Sequence, residues 1–228
     1  NKSTASSCIG IGDMSGLNTT ATIVAIGHGS GQNNTSGASN TYMGYGSGTN
    51  NVTGESNTCM GELSGYSNTS IGGNSFFGRR AGYLNVSGYG NSFLGYHAGY
   101  NGISGDLNVY IGHSSGLWAT GNENVLIGSS SGILNSGGKN IMLGSSSGEQ
   151  TTTGANNIMI GDHSGYSNVT GSANVFLGYN AGYYETGSNK CYIGNGLNVT
   201  TYTTGRTLTP IVMTMTGVQS TQQITING

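Results

Sequence analysis

Asp162 and His163 are the neighbouring pair in this 228-residue chain that most invites a catalytic reading, with serines nearby. Acyl transfer needs a nucleophile, a base oriented by a third group and an oxyanion site. Adjacent residues in one turn of a repetitive chain do not supply that set. Glycoside cleavage needs two carboxyl groups facing each other across a groove, and the eight Asp and Glu are scattered. The four histidines, His28, His97, His113 and His163, and the three cysteines, Cys8, Cys59 and Cys191, show no zinc-ligand spacing. Gly27-His-Gly-Ser-Gly31 has phosphate-loop glycines, but no Gly-Lys-Ser/Thr and no helical pattern follow it. The chain is therefore expected to be non-enzymatic, with no catalytic residue, metal ligand or cofactor.

Binding chemistry is better represented. Tyr45, Arg79, Arg80, Tyr96, His97, His113 and Tyr179 all occupy two variable positions after a recurring glycine, and Trp118 lies a few residues beyond another. Variable loop positions on a regular scaffold are where specificity resides. Aromatic groups flanked by hydrogen-bonding side chains suit both sugars and protein loops. These eight residues are the candidate receptor contacts.

The elements that position them come from an internal repeat. The pattern Asn-x-φ-φ-Gly-x-x-(Ser/Ala)-Gly, with φ apolar, stands as Asn74-Ser-Phe-Phe-Gly-Arg-Arg-Ala-Gly82, Asn91-Ser-Phe-Leu-Gly-Tyr-His-Ala-Gly99 and Asn174-Val-Phe-Leu-Gly-Tyr-Asn-Ala-Gly182. Its first glycine falls at twelve places from Gly12 to Gly194, 182 residues in eleven steps, a mean period of about 16.5. So short a unit has no room for a helix pair and lacks a 3.6-residue apolar period. Four extended residues, a turn, a polar return and a second turn describe one rung of a parallel β-solenoid. The fold class is thus all-β: about twelve rungs of 16–17 residues, a rod roughly 55 to 60 Å long at one strand spacing per rung. A further glycine stands three residues before the motif in nine copies, including Gly54, Gly121 and Gly187, and marks a turn needing either positive φ or close rung stacking.

The leading residues Asn40, Asn57, Asn74, Asn91, Asn108, Asn124, Asn140, Asn157 and Asn174 are expected to form a structural ladder. In-register sequons at Asn34, Asn51, Asn68, Asn85 and Asn168 read as a second such ladder rather than as glycosylation sites. Both central motif positions are apolar, and neighbours on a strand face opposite ways. One file fills the roll. The other, from Ile11 to Ile193, forms an exposed stripe too long for a monomer, which predicts a parallel homo-oligomer, a homotrimer being the favoured closed form. A broader solenoid burying both faces by itself is the alternative.

Composition excludes other classes. Charged residues are 6% of the chain, net charge is −2, and 44 glycines lack the strict three-residue spacing of collagen. Six Lys and Arg cannot supply a nucleic-acid surface, and no apolar run is long enough for membrane insertion as a helix. Cys8 and Cys59 fall roughly 14 Å apart on the rod, beyond the about 7 Å limit for a disulfide; free thiols suit assembly in a reducing cytoplasm. The first residue is Asn rather than Met, which reads as a fragment or processed chain.

The repeat, with linkers such as Tyr66-Ser-Asn-Thr-Ser70 and Tyr166-Ser-Asn-Val-Thr-Gly171, resembles the head repeats of trimeric adhesins, and its longer period is most similar to the variant in bacteriophage tail-fibre proteins. The resemblance covers residues 8–196. It implies a left-handed parallel β-roll trimer, a virion fibre that is extracellular in use and assembled in the host cytoplasm, with a host-surface glycan or protein receptor and other virion or fibre proteins as partners. In such fibres a self-trimming chaperone domain often follows. The head of a bacterial surface adhesin is the alternative, and a polysaccharide-binding or depolymerising solenoid is a further one. Residues 1–7 are an N-terminal lead-in. Residues 197–228, where Thr alternates with apolar residues around Pro210, are expected to form a small C-terminal β capping or neck module.

Overall fold

The computed structural model describes residues 8–16, 19–194 and the short strand Ile211–Val212. It is all-β; no helix occurs among the described residues. Twelve strands follow the repeat: β1 (Ile9–Ile11), β2 (Ile23–Ile26), β3 (Asn40–Met43), β4 (Thr58–Met60), β5 (Ser75–Phe77), β6 (Ser92–Leu94), β7 (Val109–Ile111), β8 (Val125–Ile127), β9 (Ile141–Leu143), β10 (Ile158–Ile160), β11 (Val175–Leu177) and β12 (Cys191–Ile193). Each pairs in parallel with the next in sequence order, so the chain is a β-solenoid and each rung takes the number of its strand. Register is set by the repeat: Phe76 pairs with Phe93 and Phe93 with Tyr110. β13 (Ile211–Val212) pairs antiparallel with β12. The lead-in 1–7 and most of the C-terminal module 197–228 lie outside the described residues.

The interior is narrow. The middle residue of each strand from β4 to β12 points inward, as do Ala25 of β2 and Tyr42 of β3, and Tyr42, Phe76, Phe93, Tyr110, Leu126 and Phe176 are all buried. Stacking makes a file, with Phe76 and Phe93 centroids 5.0 Å apart and Phe93 and Tyr110 4.5 Å apart. Opposite stands a file of Ser and Ala; Ser115 Oγ donates to the Leu126 carbonyl at 2.9 Å and Ser147 Oγ to that of Met159 at 3.0 Å. Cys59 lies in the aromatic file as a free thiol, and burial pushes its pKa up to about 12.

The Asn file closes the first corner. From Asn57 through Asn174, each backbone N–H donates to the Oδ1 of the Asn one rung before at 2.8–3.1 Å, and the Lys190 N–H continues the series. Their Nδ2 groups donate to turn carbonyls of the following rung, as Asn91 does to Gly105 at 2.7 Å. Asn108 Nδ2 has no acceptor; rung 7 is where the repeat first shortens from 17 to 16 after the regular run. The sequon amides Asn34, Asn51, Asn68, Asn85 and Asn168 are also buried, and those of Asn51 and Asn168 donate to the glycine carbonyl three residues on, at 2.8 and 3.0 Å.

The two glycine types have different causes. At Gly128, φ is 136°, and an added Cβ would lie 2.3 Å from the Gly144 carbonyl oxygen. Gly121 has no positive φ, yet a Cβ there would come within 1.9 Å of the Gly137 carbonyl oxygen, so close stacking decides that position. Positive φ is also carried by non-glycine residues, at two places in most rungs. One is the residue before the Asn file, such as Leu107 (56°) and Ala173 (57°); the other is the second residue after the motif glycine, such as Leu63 (56°), Arg80 (57°) and His97 (57°).

Two stability changes are expected. Asn91→Ala removes the acceptor of the Asn108 N–H and the donor to Gly105, leaving two buried groups unpaired, and should cost about 2–5 kcal/mol in guanidinium unfolding. Ala173→Gly relieves a left-handed conformation and should stabilise by about 0.5–1 kcal/mol in the same measurement.

Candidate functional site

Stacked rungs carry equivalent turn residues in files on the surface. The two residues after each motif glycine give two files, and the residue following the next glycine gives a third. In rungs 4 to 7 the first file reads Glu62, Arg79, Tyr96, His113, the second Leu63, Arg80, His97, Ser114, and the third Tyr66, Tyr83, Tyr100, Leu117.

These files interlock. Arg79 Nε donates to Glu62 Oε2 at 3.1 Å and its Nη1 to the Tyr96 hydroxyl at 3.1 Å, while its guanidinium lies 5.5 Å from the Tyr96 ring centre. Tyr96 stacks on His97 at 3.9 Å and on His113 at 5.2 Å. Arg80 sits 5.9 Å from the Tyr83 ring centre, and His97 lies 4.7 Å from Tyr100. Tyr66, Tyr83 and Tyr100 form a continuous stack at 5.2 and 5.0 Å. Cation–π contacts of this exposed kind each contribute about 0.5–1 kcal/mol, enough together to restrict long side chains that would otherwise move freely.

Five of the eight expected contact residues, Arg79, Arg80, Tyr96, His97 and His113, thus come together on rungs 5 to 7. The other three do not join them. Tyr45 stacks on His28 at 5.3 Å on rung 3, and Tyr179 is half-exposed on rung 11. Trp118 projects outward beyond the second glycine of rung 7, with no ring partner among the described residues. Glu62, Tyr66, Tyr83 and Tyr100 belong to the cluster although the sequence reading did not select them. Their signal was present: tyrosines 17 residues apart in three successive copies must stack once the rungs do.

Asp162 and His163 do meet, Oδ2 to Nδ1 at 3.0 Å, as a partly exposed pair beside Tyr166 and Tyr183. A shallow polar depression of about 430 Å³, lined among others by Thr120, Glu123, Ser136 and Lys139, follows the two shortened rungs 7 and 8. Among the described residues, no three His, Cys, Asp or Glu are grouped to hold a metal ion, and no helix is long and apolar enough to cross a membrane.

No protein-family model matches this chain, and neither a curated protein nor a solved structure does so.

The electrostatics of the cluster centre on His97. Partial burial lowers its pKa from the ordinary 6.5, and the positive charges of Arg80 and Arg79 and the neighbouring His113 lower it further. The imidazole should therefore titrate below 6.5 by NMR, and Arg80→Gln should move its midpoint upward. An unchanged midpoint would show that the Arg80 charge does not reach the ring.

Proposed function

We propose that the chain is a non-enzymatic segment of a fibrous attachment protein that works as a homotrimeric rod and meets a host-surface receptor through its turn files. The observation that carries this reading is the outward file of the sheet. Behind the buried aromatic file, every strand turns a second apolar residue outward, among them Ile11, Met43, Leu94, Leu177 and Ile193 at 58, 37, 52, 41 and 44% exposure. An apolar line running the length of a rod is stabilised by burial against parallel copies, at about 25 cal/mol per Å² removed from water. Three copies about a common axis bury all three lines in one closed assembly. The turn files then remain outside, where the cationic and aromatic cluster of rungs 5 to 7 meets solvent. A virion fibre used outside the cell is the setting that matches the repeat pattern, low charge and free cysteines.

Sedimentation velocity tests the assembly. Wild-type protein should run at three times the 23.1 kDa chain mass. Leu94→Asp combined with Ile127→Asp should give monomer. A stable wild-type monomer at micromolar concentration overturns the trimer. Labelled trimer should decorate cells of particular bacterial strains in a panel; the absence of binding to every strain would remove the attachment role.

A further inference from the structure

Arg80 and His97 are held in place, but their hydrogen-bonding capacity is unspent. Arg79 is paired with Glu62, whereas Arg80 has no ion-pair partner among the described residues and its Nε is shut from solvent without an acceptor. One rung on, His97 Nε2 is likewise enclosed and unpartnered. A guanidinium and an imidazole stand side by side, each fixed against aromatic rings: Arg80 over Tyr83, and His97 between Tyr96 and Tyr100. The left-handed φ of 57° at both residues gives their side chains the same departure direction, so they project as neighbours in one file. A planar guanidinium fork recognises carboxylates and phosphates. The enclosed Nε and Nε2 are beyond a ligand's reach; the other edges of the two half-buried groups, the Nη atoms of Arg80 and Nδ1 of His97, are not enclosed in this way and are what an acceptor from outside would meet. Local charge points the same way: burial is the main cause lowering the His97 pKa, but Arg80, Arg79 and His113 lower it further, and of the two arginines only Arg79 has a carboxylate partner.

We propose that Arg80 and His97 form the anion-binding subsite of a saccharide receptor site, holding a sugar carboxylate or phosphate while Tyr83 and Tyr100 pack against the adjoining ring. The assignment rests on the attachment reading above and names the receptor group engaged at rungs 5 and 6. A saccharide is favoured over an acidic peptide because Tyr83 and Tyr100, stacked nearly parallel at 5.0 Å, present a row of like ring edges at a spacing close to the length of a pyranose unit. Nucleic acid does not fit, since the cluster offers only two arginines and the chain is net negative.

Calorimetry on the full chain tests the subsite with four probes: an oligogalacturonide, its fully methyl-esterified counterpart, a hexose-phosphate oligomer, and oligoglutamate of equal length. At least one of the oligogalacturonide and the hexose-phosphate oligomer should bind, and which of them binds more tightly identifies the anion. The neutral ester and oligoglutamate should bind at least about tenfold more weakly, the loss of one charge-assisted hydrogen bond. Arg80→Gln and His97→Gln should each weaken binding of the anionic probe about tenfold or more, and Arg80→Lys should restore only part of it, because charge without the fork is incomplete. Unchanged circular dichroism of the variants separates loss of the site from loss of the fold. Equal binding of the methyl ester, equal binding of oligoglutamate, or full binding by both Gln variants overturns the proposal. If labelled trimer still decorates cells while neither anionic probe binds, this subsite is wrong and the attachment reading stands.

Discussion

The buried asparagine file is the interaction on which the rest of this structure depends. A rung of 16–17 residues has two corners, and a corner folded inward brings backbone N–H and C=O groups into the buried interior. Each such group left unpaired costs about 1–3 kcal/mol. From Asn40 to Asn174 one amide per rung removes that cost, accepting from the next rung's N–H and, in all but Asn108, donating to a turn carbonyl. Because donor and acceptor belong to successive rungs, the amide also fixes register: a one-residue slip would break the file throughout. The series stops at the ends, where Cys8 and Ile23 occupy the position in rungs 1 and 2 and Lys190 in rung 12.

Register then determines what the surface looks like. With each rung directly above its predecessor, a residue type recurring at one repeat position becomes a file, and its members touch. Tyr66, Tyr83 and Tyr100 stack because the steps between them are each 17 residues. Glu62, Arg79, Tyr96 and His113 join by the same rule into an ion pair, a cation–π contact and a ring stack. The polar depression near Lys139 lies beside the two consecutive rungs that are one residue shorter.

Most of this architecture was legible in the sequence. The spacing of the motif glycines gave the rung, the alternation of Phe93 with Leu94 gave an inner and an outer file, and the recurrence of Asn gave the ladder positions. What could not be read was conformational. Glycine was the natural candidate for positive φ, yet Gly121 is required by the backbone stacked beneath it, and Leu107, Arg80 and His97 adopt the left-handed region themselves. A side chain raises the energy of that conformation by about 1–2 kcal/mol per residue. The cooperative stack of rungs imposes it, and no local propensity reveals a tertiary requirement of that kind. The clustering of the contact residues was half legible for a related reason: their repeat position was visible, but Tyr45, Trp118 and Tyr179 differ from the rest only by rung number and corner.

A core one aromatic residue wide has a further consequence for where function can reside. Among the described residues the interior is filled by a file of Phe, Tyr, Leu and Met set against Ser, Ala and Asn, and it is the turn files that face solvent. The inner files are bound by register and volume, since a change at Phe93 or Asn91 disturbs the rungs above and below. The residues after the motif glycine carry no such burden beyond a shared backbone angle. Asp13, His28, Tyr45, Glu62, Arg79 and Ser129 all stand at one equivalent position without altering the strand beneath them. The fold thus separates a fixed set of residues that hold the rod from a free set that face solvent, and chemical variety can accumulate in the second at little cost to the first.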